Sequence, residues 1–167
     1  MELYVLRHGI AEDRQTWKGA RDSERPLTLK GLERLHQIVD AIEALELEFE
    51  RVLSSPFRRA RQTAELVSDR LKLGAHLEFT PHLAIPPASA RLIEQINALR
   101  PLPRSVLLVG HEPHLSELIS LLVTGGPGLG LTLRKGGLAK LEVEGLQAAR
   151  CAALEWLLTP RQMRLMR

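Results

Sequence analysis

The sequence predicts an α/β domain, a three-layer α/β/α sandwich around a largely parallel central sheet. Strand-like and helix-like apolar periodicities alternate along the chain, the pattern of a layered α/β architecture. The blocks Leu3-Tyr4-Val5-Leu6 and Val106-Leu107-Leu108-Val109 are apolar without interruption, as expected of strands covered on both faces. The chain has 167 residues and 44% hydrophobic content, enough for one well-buried core and too short for two comfortable ones. Residues 1–167 are therefore read as a single domain.

Each element has its own signal. The first strand covers 2–6 and gives way to the polar stretch "GIAEDRQTWKGARDSERP", whose lack of periodicity marks a long loop over 10–26. Thr28 is placed to cap a helix running to about residue 46, with Leu32, Leu35, Val39, Ile42 and Leu45 on its buried stripe. A second strand, Arg51–Ser54, leads into a helix that Ser55 caps, that holds Pro56 in its first turn, and that Gly74 ends. A short strand is expected around "HLEFT", then an amphipathic helix through "ASARLIEQINALRP" with Leu92, Ile96 and Leu99 inward. The strand 105–109 follows, then a helix through "PHLSELISLLV" and a "GGPGLG" loop. "GLAKLEVEG" alternates like a strand. "LQAARCAALEWLL" has the composition of a helix in the position of a hairpin partner, and an edge strand over Cys151–Leu157 is expected. A last short helix has Thr159 as its cap and Pro160 in its first turn.

Composition excludes several classes. The formal net charge of +3 arises from 23 basic and 20 acidic residues spread along the chain, and only 4% of residues are aromatic. A nucleic-acid binder would cluster its cations or supply stacking platforms, so none is expected. No stretch approaches the roughly 20 apolar residues that cross a bilayer. The N-terminus runs into a strand pattern rather than a secretory leader. Cys151 is the single cysteine, which excludes an internal disulfide and a cysteine zinc site. A cytoplasmic, metal-independent monomer without membrane contact is the expectation.

Three strands are each followed by a charged or imidazole-bearing turn: Arg7-His8, Arg58-Arg59 and Gly110-His111. If these strands are parallel, the turns emerge at one carboxyl edge of the sheet, where open α/β folds bind ligands. Two imidazoles and paired guanidiniums suit a compact anion, because guanidinium forks match phosphate oxygens and keep their charge. The helix starting at Pro113 would add backbone N–H groups, and Gly9 and Gly110 would leave the backbone open to the ligand. A neutral imidazole nitrogen can attack phosphorus while the cations stabilise the spreading charge.

The segments "LRHG", "LSSPFRRARQTAE" and "LLVGHEP" resemble the histidine phosphatase superfamily, which includes the cofactor-dependent phosphoglycerate mutases. The length, "RPLTLKG", "SPFRRARQT" and the closing "WLLTP" look most like the small SixA-type phosphohistidine phosphatases. The resemblance implies that His8 is the nucleophile and becomes a phosphohistidine, that Arg7 and Arg59 clamp the phosphate, and that His111 completes the pocket. Arg58 falls on the family's variable position and is expected outside. Substrate contacts are assigned to Arg7, Gly9, Arg59, His111 and Glu112. No metal or organic cofactor is implied, and the implied partner is a phosphohistidine-bearing protein such as a signalling phosphotransfer domain.

One departure bears on the substrate. Many superfamily members carry a glutamate acid between the central arginine and the second histidine, whereas "FTPHLAIPPASA" contains no carboxylate. An alkoxide needs a proton to leave near pH 7, but imidazole, with a reference pKa of about 6.5, leaves far more readily. A phosphoramidate is therefore favoured, with Glu12, Asp13 or Glu112 as the alternative proton sources. Two other functions remain: a phosphomonoesterase for sugar or nucleotide phosphates, and a non-catalytic phosphate- or phosphohistidine-binding module. Elsewhere, His36 is expected to border the core, and His76, His82 and His114 to lie at the surface. Arg21 and Arg25 are read as a solvated run or a gate, and Trp17 as a partner contact or a cover for the pocket mouth.

Overall fold

A computed structural model describes residues 1–166. Its sheet has the order β3-β2-β4-β1-β5-β6. β1 (Glu2–Arg7), β2 (Arg51–Ser54), β3 (Leu77–Phe79) and β4 (Ser105–Gly110) run parallel, while β5 (Leu138–Val143) and β6 (Ala152–Leu158) close one side antiparallel. The expected three-layer, largely parallel architecture is what the chain adopts.

The period-two alternation of β1 shows how the layers form. Leu3 and Val5 pack with Leu92 and Ile96 of α3 (Ser89–Ala98) and with Leu115, Leu118 and Leu122 of α4 (His114–Thr124). Tyr4 and Leu6 face the other way, onto Leu35, Ile38 and Ile42 of α1 (Leu29–Ala44), Ala60 and Ala64 of α2 (Arg58–Arg70), and Met163 of α5 (Pro160–Met163). One sheet thus separates two apolar cores. The segment of helical composition is the expected edge strand because its side chains alternate between half-buried and exposed along Ala152–Glu155, and β5 offers it an edge; pairing overrides the helical composition.

Helix ends follow local chemistry, with corrections. The Thr28 hydroxyl accepts the Gly31 N–H at 2.9 Å, and Thr159 and Gln162 form a reciprocal capping box on α5. Ser55 does not cap α2. Its backbone N–H still donates to Val109 at 2.9 Å, prolonging the strand, so Phe57 becomes the cap and Pro56 stays outside the helix. Nor does Gly74 end α2. Lys72, at φ 58, makes the left-handed step, and Gly74 opens a separate short 3-10 turn. Leu45 falls beyond α1 as its C-cap and is exposed, while Ile38 takes a place on the buried stripe.

The loop 10–26 is anchored at its base. Ala11 bridges Leu27 antiparallel, and the Ile10 carbonyl accepts the Thr28 N–H at 2.9 Å. Gly31 lets α1 approach this strap, since a Cβ there would lie 2.0 Å from the Ile10 oxygen. Gly31→Ala should therefore cost about 1–3 kcal/mol, seen as a lower urea midpoint at unchanged slope. An unaltered midpoint would refute the close approach.

Candidate active site

Strand register brings the predicted residues together. Arg7 of β1 pairs with Gly110 of β4, so His8 and His111 leave neighbouring parallel strands side by side, with ring centroids 5.1 Å apart. Ser54 of β2 pairs with Val109, which sets Ser55 beside His111, and its Oγ lies 2.7 Å from His111 Nε2. α2 starts at the same edge, and the Arg59 side chain, 3% exposed, reaches across to donate from Nε to His8 Nε2 at 3.3 Å. A cleft of about 660 Å³ is lined by Arg7, His8, Arg59, His111 and Glu112 together with residues of the 10–26 loop.

The surroundings of His8 define its chemistry. Nδ1 lies 2.7 Å from the Gly9 carbonyl, which only accepts, so Nδ1 carries the proton and Nε2 keeps its lone pair toward Arg59. Burial holds the His8 pKa well below its usual value, and repulsion from His111, Arg59 and Arg7 adds to it. His8 is a neutral base at neutral pH. His111 is pushed down to about 3, first by burial and then by Arg59. Its Nδ1 is buried without a partner, as are Arg7 Nε and Glu112 Oε1. All three belong to residues that line the cleft.

Three contributors, Asp22, Ser55 and Lys135, escaped the sequence reading as site residues. Asp22 accepts from Arg59 Nη2 at 3.1 Å through its carboxylate and from Nη1 at 2.8 Å through its carbonyl, and it takes the Arg25 Nε–H at 3.0 Å. Burial disfavours its charge, but Arg59 and Arg25 outweigh that and hold its carboxyl below the usual range. Arg25 is itself buried and donates to the Glu12 carbonyl at 2.6 Å, so it is no solvated charge. Ser55 orients His111, and Lys135 lines the cleft from the segment before β5. The fragment Asp22-Ser23-Glu24-Arg25, an acid three residues before a base in an aperiodic loop, was the available signal.

Other expectations need correction. Gly9 does not leave its backbone open to a ligand: its N–H is held by Thr63 Oγ1 at 3.1 Å, its carbonyl by His8, and a Cβ would lie 3.3 Å from Leu27 Cδ2. A Cβ on Gly110 would lie 3.1 Å from Leu115, so that glycine also serves packing. His114 is buried rather than exposed, because the first turn of α4 packs on α3, where His114 Nε2 lies 3.0 Å from Ser89 Oγ. His36 is exposed, since Leu35, Ile38 and Val39 take the inward face of α1, and His82 is half-buried. Arg58, Arg21 and His76 are exposed as expected. Trp17 folds against Gly19 and is absent from the cleft lining. Among the described residues no group of three His, Cys, Asp or Glu could hold a metal, and no helix is long and apolar enough to cross a membrane.

Three buried histidines make stability depend on pH. His8, His111 and His114, the last pushed down to about 4 by burial, have folded pKa values below the unfolded value. The unfolded chain therefore binds protons first on acidification. Their contribution is complete above about pH 6.5 and declines below it, approaching about 1.4 kcal/mol per pH unit for each histidine and roughly 4 for three. Urea titrations from neutrality to pH 5 measure this slope, and a flat profile would contradict the buried neutral state.

Comparison with known proteins agrees with this geometry. Residues 3–84 match the model of the histidine phosphatase superfamily, branch 1. A Picosynechococcus protein of uncharacterized function is 39% identical over 142 residues, covering 84% of each chain. The phosphohistidine phosphatase SixA of Escherichia coli is 35% identical over 129 residues, covering 75% of this chain and 76% of SixA. A structure of the protein histidine phosphatase SixA complexed with tungstate superposes with a TM-score of 0.79 at 30% identity, over 96% of this chain and 98% of that one. With its paired imidazoles and buried arginine at the sheet edge that this fold provides, the chain belongs to the histidine phosphatase superfamily and is a SixA-like phosphatase.

Proposed function

We propose that the chain is a phosphohistidine phosphatase, acting on a phosphohistidine-bearing protein through a phospho-His8 intermediate. The observation that carries this is the neutral His8 imidazole, its Nε2 lone pair free of a proton and directed at the Arg59 guanidinium inside the cleft. The similarity to a phosphohistidine phosphatase supports the substrate class, and tungstate in the SixA structure is an oxyanion of phosphate's shape. A cytoplasmic setting fits a signalling substrate of this kind.

His8 Nε2 forms a bond to phosphorus as the substrate's N–P bond breaks, and the bonding pair passes to the departing imidazole nitrogen. When the other ring nitrogen of that imidazole carries a proton, the group leaves neutral and needs no acid from the enzyme. Arg59 and Arg7 stabilise charge on the equatorial oxygens. His111, held by the Ser55 hydroxyl 2.7 Å from its Nε2, stands beside His8 at the same edge and completes the pocket. Water then attacks phospho-His8, loses a proton, and releases phosphate as the pair returns to Nε2.

A second reading, a phosphomonoesterase, is favoured by Glu112. It lies on the cleft wall, where its Oε2 accepts from Ser116, and so sets a carboxyl group beside the position of a leaving alkoxide. The segment expected to lack an acid contributes apolar Ile85 to the same wall. Turnover of a phosphohistidine peptide against a panel of sugar and nucleotide monoesters decides between the readings. Phosphohistidine should win, and Glu112→Gln should slow it far less than it slows monoesters. His8→Ala should eliminate turnover and acid-labile phosphoenzyme, and Arg59→Ala should lower kcat/KM by about a hundred- to a thousandfold. Normal hydrolysis by the His8 variant would overturn the assignment.

A further inference from the structure

Beside the His8 cleft lies a second cavity of about 590 Å³ that shares Arg7, Ile10 and Lys135 with it. Its lining holds Arg34 from α1, Arg134 and Lys135 from the segment before β5, and Arg161 and Arg164 from α5 and its C-terminal cap, and it holds no carboxylate. Among the described residues, none of these five side chains has an acidic partner, whereas Arg25, Arg59, Arg61, Arg70, Arg91, Arg104 and Lys140 all do. Five cations without an acidic partner among the described residues stand around one cavity, against a formal excess of +3 for the whole chain. Lys135 and Arg7 line both cavities, so cations stand on the wall between them.

The form of the cavity selects its occupant. A single compact anion calls for converging buried donors, as Arg59 supplies next door. Here Arg134, Lys135 and Arg161 are exposed and Arg34 and Arg164 half-buried, spread over three segments around an open space. Such a ring meets several carboxylates spaced along a peptide, and Ile38 and Pro160 can cover their methylene groups.

The geometry points to a docking site for acidic side chains that flank the phosphorylated residue of the protein substrate, a deepening that rests on the phosphohistidine-protein reading above. The phosphorylated side chain enters the His8 cleft, and the adjoining acidic segment crosses the shared wall at Ile10 and Lys135 into the basic cavity. Selection of acidic sequences then comes from contacts remote from the phosphorus.

Two phosphohistidine peptides of equal length, one with glutamates and one with serines around the phosphorylated residue, test this kinetically. The native chain should favour the glutamate peptide at least tenfold in kcat/KM, mainly through KM, and the paired substitution Arg161→Glu with Arg164→Glu should abolish that preference. These side chains make no hydrogen bond or ion pair among the described residues, and circular dichroism checks that the variant folds. Fluorescence anisotropy with a labelled oligoglutamate peptide gives a readout independent of turnover. Binding should weaken with salt, fall at least tenfold in the paired variant, and persist in His8→Ala. If neither phosphohistidine peptide is hydrolysed, the parent reading fails while the anisotropy still decides on docking. Equal oligoglutamate affinity in native and variant chains would overturn the docking site, as would displacement of the peptide by inorganic tripolyphosphate at far lower concentration, which marks a compact-polyanion site.

Discussion

The parallel pairing of β1 with β4 is the constraint on which the site depends. Their register sets Arg7 opposite Gly110, so the residues that follow, His8 and His111, emerge together at the carboxyl edge. The His8 N–H donates to the Gly110 carbonyl at 3.1 Å, carrying the pairing one step beyond the strand and fixing His8 to its neighbour's backbone. A slip of one residue would turn every β1 side chain to the opposite face. Leu3 and Val5 would then exchange cores with Tyr4 and Leu6, so the packing that stabilises the sheet also holds His8 beside His111.

Burial gives this arrangement its chemical character. Imidazoles enclosed among guanidiniums cannot hold a proton at neutral pH, which leaves a lone pair beside a permanent positive charge. Arg59 is itself desolvated, and Asp22 compensates it with a carboxylate and a carbonyl from a loop outside the sheet. In the proposed function an arriving phosphoryl group offers the same guanidinium oxygens of equal or greater charge. The loop 10–26 thus supplies a counter-ion, through Asp22, and a second buried cation, Arg25, at the mouth of the cleft.

In the proposed reading the two cavities divide recognition between them. The cleft at His8 uses few, buried, converging groups suited to one phosphoryl unit, whereas the neighbouring cavity uses exposed cations suited to an extended acidic surface. They meet at Arg7, which donates from Nη1 to the Leu133 carbonyl at 2.9 Å and so ties the first strand to the segment that carries Arg134 and Lys135.

Strands, helices and the placement of His8, Arg59 and His111 could be read from the chain because each rests on local information: continuous apolar runs, helical spacing of Leu35, Val39 and Ile42, and charged turns directly after strands. The edge strand could not be settled that way, since its composition suits a helix and only the free edge of β5 decides otherwise. Ser55 looked like a helix cap because sequence shows its neighbours along the chain, while its partner His111 lies 56 positions away. The bond between Asp22 and Arg59 spans 37 positions and starts in a loop without periodicity. His114 is buried through the packing of two helices, and the basic cavity gathers cations from segments separated by most of the chain. The sequence by itself determined which residues could do the chemistry and at which strand ends they stand. Tertiary structure alone decided their partners, protonation and neighbouring cavity, because those follow from contacts between segments that no local pattern encodes.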